Sequence, residues 1–263
     1  MLPVKGHNFV ELGRRCHGDT ISERSFASQA GRKRDRSAIL PAMCGRYTLR
    51  KTEMELAAML AVIRHVMTPR FNIAPSQQVP VCRVGPGGQL EYCEMRWGLI
   101  PHWSKDSKPG YSTINARAET VKSKPAYRTP FRRQRCLIPV DGWYEWQQTG
   151  ARTKQPYFFH RSDEQLFFFA GLWDHWEGRD AEQPIDSCSI IVTQANKTVQ
   201  AIHDRMPVIV KPAYYDEWLD PQSDTDRLEQ LLRPYGGHDL HYYAVKLTVN
   251  NPRFDGPTCI EAM

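Results

Sequence analysis

Val79-Pro80-Val81-Cys82-Arg83-Val84-Gly85-Pro86-Gly87-Gly88-Gln89-Leu90-Glu91-Tyr92-Cys93-Glu94-Met95-Arg96-Trp97 reads as a strand, a turn and a second strand. The Gly-Pro-Gly-Gly run interrupts two β-rich stretches, 79–84 and 89–97, so the segment predicts a β-hairpin. Working outward, residues 136–140, 143–147, 157–160, 166–172, 185–193 and 241–246 also predict strands. Short helices are expected over 195–202, 213–219 and 226–233. A further helix, N-capped by Thr52, follows from the apolar spacing of Met54, Leu56, Ala57, Leu60, Ala61 and Ile63. Strands outnumber helices, and short turns join them rather than helical crossovers. The expected class is therefore α+β: a single domain with a largely antiparallel, barrel-like β-sheet flanked by short helices.

The chain has 263 residues, of which 41% are hydrophobic, enough for a sizeable core. Its net charge of +6 divides unevenly, with +4 on residues 1–42 and +2 on the remainder. Any role in nucleic-acid binding must then come from local clusters rather than bulk charge. Seven cysteines, an odd number with no Cys-x-x-Cys, argue against a disulfide framework or a common zinc site. A reducing, cytoplasmic setting fits that usage. No run of eighteen apolar residues predicts a membrane span. No Gly-rich phosphate loop, Ser-His-Asp signature or His-Glu-x-x-His indicates a nucleotide cofactor or a metal.

Residues 1–42 are Arg- and Ser-rich and lack both periodicity and an apolar signal core. They read as a disordered basic arm, a removable leader, or sequence upstream of the true start. The last is preferred, because Met43 supplies a start and Cys44 is small enough to permit methionine removal. The expected organisation is a disordered or non-native extension, 1–42, followed by one domain, 43–263. Exposed as residue one, Cys44 carries a thiol and a free α-amine on adjacent carbons. The amine's reference pKa of about 7.7–8.0 leaves a nucleophilic fraction near neutrality. With an aldehyde, the amine forms a Schiff base and the thiol then closes a thiazolidine ring. While residues 1–42 are attached, that nitrogen is an amide.

Other segments combine polar residues with Gly, Pro or Trp. In Gly142-Trp143-Tyr144-Glu145-Trp146, strand alternation puts Trp143 and Glu145 on one face. A carboxylate among aromatics tends towards a raised pKa, which suits proton transfer. His203, in Ile202-His203-Asp204-Arg205-Met206-Pro207, titrates naturally near neutrality. The remaining segments are Arg70-Phe71-Asn72-Ile73-Ala74-Pro75, Trp97-Gly98-Leu99-Ile100-Pro101-His102-Trp103 and Ile114-Asn115-Ala116-Arg117-Ala118-Glu119. With Met43-Cys44-Gly45-Arg46, they resemble, in order, the SRAP family of SOS response-associated peptidases or abasic-site processing proteins. The resemblance runs from Met43 to about Glu261.

The resemblance implies that Cys44, as the mature N-terminus, attacks the ring-opened aldehyde of an abasic site in single-stranded DNA. It implies that Glu145 assists sugar ring opening and proton transfer, and that His203 serves Schiff-base formation and crosslink reversal. It makes Asn115 the active-site amide that orients the amine and a sugar hydroxyl. Arg46, Arg117 and Arg205 match positions near the DNA backbone, where a planar guanidinium suits phosphate. Asn72 is a further expected polar contact. Trp103 is expected to wedge or stack on bases, worth about 1–3 kcal/mol per base. Arg128, Arg132, Arg133 and Arg135 form either a backbone track or a solvated basic loop. The expected protein is a monomer that needs no cofactor and crosslinks to abasic single-stranded DNA. The rival readings are a cysteine peptidase acting on its own leader and a non-catalytic single-strand binder.

Overall fold

The computed structural model describes residues 44–51, 68–107, 113–178 and 183–263. The helix expected after Thr52 and the whole of residues 1–43 lie outside them. The strands are β1 (Tyr47–Leu49), β2 (Arg70–Ile73), β3 (Gln78–Val84), β4 (Leu90–Trp97), β5 (Asn115–Arg117), β6 (Arg135–Val140) and β7 (Gly142–Gln148). They continue as β8 (Lys154–Arg161), β9 (Phe167–Trp176), β10 (Ile185–Gln194), β11 (Arg205–Pro207), β12 (Ile209–Val210) and β13 (Leu240–Ala244). Among the described residues four short α-helices intervene: α1 (Arg128–Arg133), α2 (Lys197–Gln200), α3 (Tyr215–Leu219) and α4 (Thr225–Glu229).

The predicted hairpin is β3–β4, paired from Gln78↔Arg96 to Val84↔Leu90. Around it a sheet closes on itself in the order β10-β4-β3-β6-β9, with β9 pairing back to β10. Within that ring only β4–β10 is parallel. Closure leaves no edge within the ring. The second sheet, β13-β8-β7-β1-β2, is antiparallel throughout. Expectation and structure therefore agree on an α+β fold built on a largely antiparallel barrel. Helices α2, α3 and α4 are shorter than their expected windows, and α1, at six residues the longest among the described residues, lies in none of them. Among the described residues none is long and apolar enough to cross a membrane.

Aromatic side chains join sheet to barrel. Tyr47 of β1 meets Trp97 of β4 edge-on at 5.3 Å between ring centroids. Trp143 of β7 stacks on Phe159 at 5.0 Å and turns its edge to Phe169 of β9 at 6.0 Å. Such pairs contribute about 0.5–1.5 kcal/mol each beyond the area they bury. The barrel narrows at Gly171, where a Cβ would lie 2.6 Å from the Cys136 sulfur, so only glycine fits. The six described cysteines are free thiols, five of them buried.

The β6–β7 corner fixes the start of the second sheet. Asp141, fully buried, accepts from the Thr48 hydroxyl, the Arg50 main-chain N–H and Arg50 Nε (3.1 Å). The Asp141 N–H in turn donates to the Thr48 carbonyl at 3.1 Å. Thus β1, only three residues long, is held by a buried carboxylate as well as by its two neighbouring strands.

Candidate active site at the head of the first strand

The register of the second sheet brings Cys44 to Glu145. In the antiparallel β1–β7 pair, Tyr47 opposes Trp143 and Thr48 opposes Gly142. The Tyr144 N–H donates to the Arg46 carbonyl at 3.1 Å. Continuing that register sets Gly45 opposite Glu145, with Cys44 just beyond. The Cys44 main-chain N–H donates to Glu145 Oε1 at 3.1 Å. Cys44 is completely buried and has φ +43°, a left-handed conformation that costs a non-glycine residue about 1–2 kcal/mol.

Burial governs the ionisation of this pair. It pushes the Glu145 carboxyl well above the usual carboxylate range; the Cys44 N–H opposes that shift and Asp204 adds to it. Glu145 is 1% exposed. Burial first, and the Glu145 charge second, also raise the Cys44 thiol well above its ordinary value. A buried thiol of that kind is not a ready thiolate. The arrangement favours a protonated carboxyl on a main-chain nitrogen, with a neutral thiol beside it.

The His203 segment is tied to the same strand. Gln147, on the Glu145 side of β7, donates from Nε2 to the Ala201 carbonyl at 3.1 Å. His203 Nδ1 accepts the Arg205 N–H at 3.1 Å and lies 3.0 Å from Asp204 Oδ1. Desolvation lowers the imidazole pKa below its ordinary 6.5, with Asp204 acting against that shift. Accepting at Nδ1 leaves the proton of the neutral ring on Nε2.

The arginines are held in different ways. Arg46 Nη1 donates to Asn72 Oδ1 at 2.9 Å and to the Val249 carbonyl at 2.6 Å. Asn72 is fully buried, and its Nδ2 donates to the carbonyls of Val249, Asn251 and Phe254. The strand contact expected of Asn72 is therefore corrected. Its amide is committed to the 249–254 segment, and it positions Arg46 rather than facing a ligand. On β5, Asn115 and Arg117 share one face while Ala116 is buried on the other. The Asn115 carbonyl accepts from the Tyr127 hydroxyl at 3.1 Å. Arg205 pairs with Glu119, just beyond β5. Strand β10 receives Arg117 and Pro207 on either side of Val192.

Trp103 is 58% exposed. Its neighbour His102 donates its N–H to Asp174 Oδ2 at 2.9 Å, and the ring Nδ1 lies 3.0 Å from the same oxygen. Asp174 is 2% exposed. In the arginine cluster, Arg128, Arg132 and Arg133 are exposed, whereas Arg135 is 2% exposed. Arg135 caps carbonyls of Phe131, Trp218 and Asp220, and burial lowers its pKa to about 10. It is structural. Sequence reasoning passed over Asp141, Gln147 and Asp204. Two of these had a signal: Gln147 shares the face of Glu145, and Asp141-Gly142 is a turn dipeptide.

Taken together, the fold and site define a class of protein. A cysteine heads a short strand, with its own nitrogen on a buried carboxyl and with histidine and arginines on neighbouring segments. The chain belongs to the SOS response associated peptidase (SRAP) family, whose model matches residues 43–252. It is 39% identical over 225 residues to the abasic site processing protein YoqW of Bacillus subtilis, covering 84% of this chain and 100% of that one. It is 32% identical over 223 residues to the abasic site processing protein HMCES of Gallus gallus, covering 73% and 66%. A crystal structure of a Bacteroides thetaiotaomicron protein superposes with a TM-score of 0.75 at 25% identity, covering 84% of this chain and all of that one.

Proposed function

We propose that this protein processes abasic sites in single-stranded DNA by forming a covalent thiazolidine through Cys44 once that residue is the N-terminus. One observation carries the reading: the Cys44 nitrogen, not its sulfur, is the atom on Glu145, at 3.1 Å. The names of the relatives supply the substrate class.

The freed amine adds to the aldehyde of the ring-opened sugar, forming a C–N bond. Glu145, kept protonated by burial, gives its proton to the hydroxyl, which leaves as water and produces the imine. The thiol then adds to the imine carbon, its proton passing to the nitrogen, and the ring closes. Neutral His203 is the local base for the proton transfers, Asn115 orients the sugar, and Arg46, Arg117 and Arg205 hold phosphates. Trp103 stacks on a neighbouring base. The test is a protein starting at Cys44, incubated with abasic single-stranded DNA and run on a denaturing gel. A shifted band is expected, and it is absent for Cys44→Ala. No shifted band from the wild-type sequence sinks the reading.

A second reading, self-cleavage before Cys44, draws on the left-handed φ of +43° at that residue. Strain sits beside the bond that would break, and Glu145 is placed to protonate the leaving nitrogen. Expressing the full chain as Cys44→Ala decides it: release of residues 1–43 from that variant rules out the thiol as nucleophile.

A further inference from the structure

A concave site lies outside the Cys44 region. It is a cavity of about 400 Å³ between β12 and the stretch running from α4 to Gly236. Ile209, Val210, Leu231 and Pro234 contribute apolar surface. Lys211, Arg227 and Arg233 bring three cations to the lining, which contains no Asp or Glu. Arg227 is already committed: its Nε lies 2.9 Å from Glu217 and its guanidinium sits 5.7 Å over the Tyr214 ring. Lys211 and Arg233 are exposed and, among the described residues, have no ion pair. The Tyr235 hydroxyl donates to Asp239 at 3.2 Å, which fixes its ring.

Two covalent or hydrogen-bonded links connect this cavity to the candidate active site. The chain passes from Arg205 through β11 and β12 to Lys211, six residue steps that span at most about 20 Å. On the other side, Asn196 Nδ2 donates to the Tyr235 carbonyl at 2.8 Å, and the Asn196 side chain caps α2, the helix that leads into His203. An apolar floor, a fixed aromatic ring and two unneutralised cations match a nucleotide: base against ring, phosphate between cations.

We infer that this cavity holds a nucleotide of the bound DNA strand remote from the reacting sugar, its phosphate on Lys211 and Arg233 and its base on Tyr235. The assignment rests on the single-strand reading of the Cys44 site. A separation from Arg205 of at most about 20 Å corresponds to no more than roughly six stacked nucleotides at about 3.4 Å each. On this assignment the cavity adds affinity only when the strand has a flank long enough to reach it.

The test measures equilibrium binding of the full chain to strands bearing a central tetrahydrofuran, an abasic analogue without an aldehyde. One probe has flanks of about ten nucleotides and the other of about two, too short to reach. Lys211→Gln combined with Arg233→Gln is expected to weaken the long probe roughly tenfold and lower its salt slope by about 0.7, for the one phosphate lost. The short probe is bound alike by both proteins. An unchanged long-probe slope, or equal losses on both probes, overturns the cavity assignment. So does a deoxynucleoside monophosphate that binds wild type as tightly as the long probe, because the ligand is then a free nucleotide. If wild type shows no preference for the analogue over intact strand, the failure belongs to the Cys44 reading instead.

Discussion

On the proposed mechanism, Glu145 is the residue at which stability and chemistry oppose each other. A buried carboxyl whose folded pKa is raised binds its proton more tightly in the native state than in the unfolded chain. Its contribution is therefore most favourable below the ordinary value of 4.5, and stability falls as pH rises from there towards the folded value. Glu145→Gln removes the titration while keeping the shape. Its melting temperature should exceed that of wild type by a margin that widens above pH 4.5, with about 2–4 °C for each kcal/mol recovered. Thermal melts across pH check this, and a constant gap would show that the carboxyl is not raised. In the same variant, crosslinking should slow by about 10²–10⁴-fold, the usual worth of a positioned acid, with non-covalent DNA affinity unchanged. On the proposed mechanism His203 sets a second acid limb. Desolvation lowers its pKa, so this limb should fall below pH 6.5, separate from the earlier decline as the α-amine protonates below about 7.7–8.0. A pH–rate profile tests the assignment, since in His203→Ala the acid limb due to the imidazole should vanish. On protonation, Nδ1 must release the Arg205 N–H and turn to Asp204, so one proton both removes the base and moves its segment.

At the scale of elements, the site depends on a three-residue strand that places Cys44 only through its pairing. Asp141 is its lock. In Asp141→Asn the Thr48 hydroxyl and the Arg50 N–H and guanidinium lose a charged acceptor. Because the Arg50 side chain keeps 20% exposure, the loss should be about 2–3 kcal/mol in urea unfolding, below the 3–5 of a fully buried pair. Crosslinking should drop further than the unfolded fraction explains, because β1 loses its register on β7. Equal stability of the two proteins would show that pairing alone holds the strand. The same short elements explain what the sequence did and did not disclose. The β3–β4 hairpin was legible because Gly85-Pro86-Gly87-Gly88 separates two long β-rich runs. Strands β1, β2, β5, β11 and β12 have two to four residues, too few to display a period. The parallel β4–β10 and β5–β10 pairings unite distant segments and leave no local trace. Asn72 read as a ligand contact because nothing near it in sequence announces the 249–254 carbonyls that enclose it. Glu145 and Trp143 were assigned to one face from alternation alone, but the burial that raises the Glu145 carboxyl comes from the β1 pairing a hundred residues away.

Across the whole molecule, the closed barrel and the second sheet together serve the head of β1. The barrel carries β10, which receives β5 and β11 and so sets Arg117 and Arg205. The second sheet carries Cys44, Glu145 and, through Asn72, the Arg46 guanidinium. On the proposed reading the first nucleophile is the nitrogen, since burial raises the thiol above its ordinary value. An amide nitrogen cannot form an imine. The chain with residues 1–43 attached is therefore expected to bind abasic single-stranded DNA yet form no thiazolidine, while the same sequence beginning at Cys44 forms it. Intact mass spectrometry after incubation distinguishes the two: the adduct should equal protein plus DNA minus one water. Blocking the new α-amine by acetylation should abolish the adduct as completely as Cys44→Ala. Cys44→Ser should still give a borohydride-trappable imine, because its amine remains. An adduct of undiminished yield on the acetylated protein, or on the chain that retains residues 1–43, would transfer the chemistry to sulfur. The 3.1 Å bond between the Cys44 nitrogen and Glu145 would then be only a structural tie.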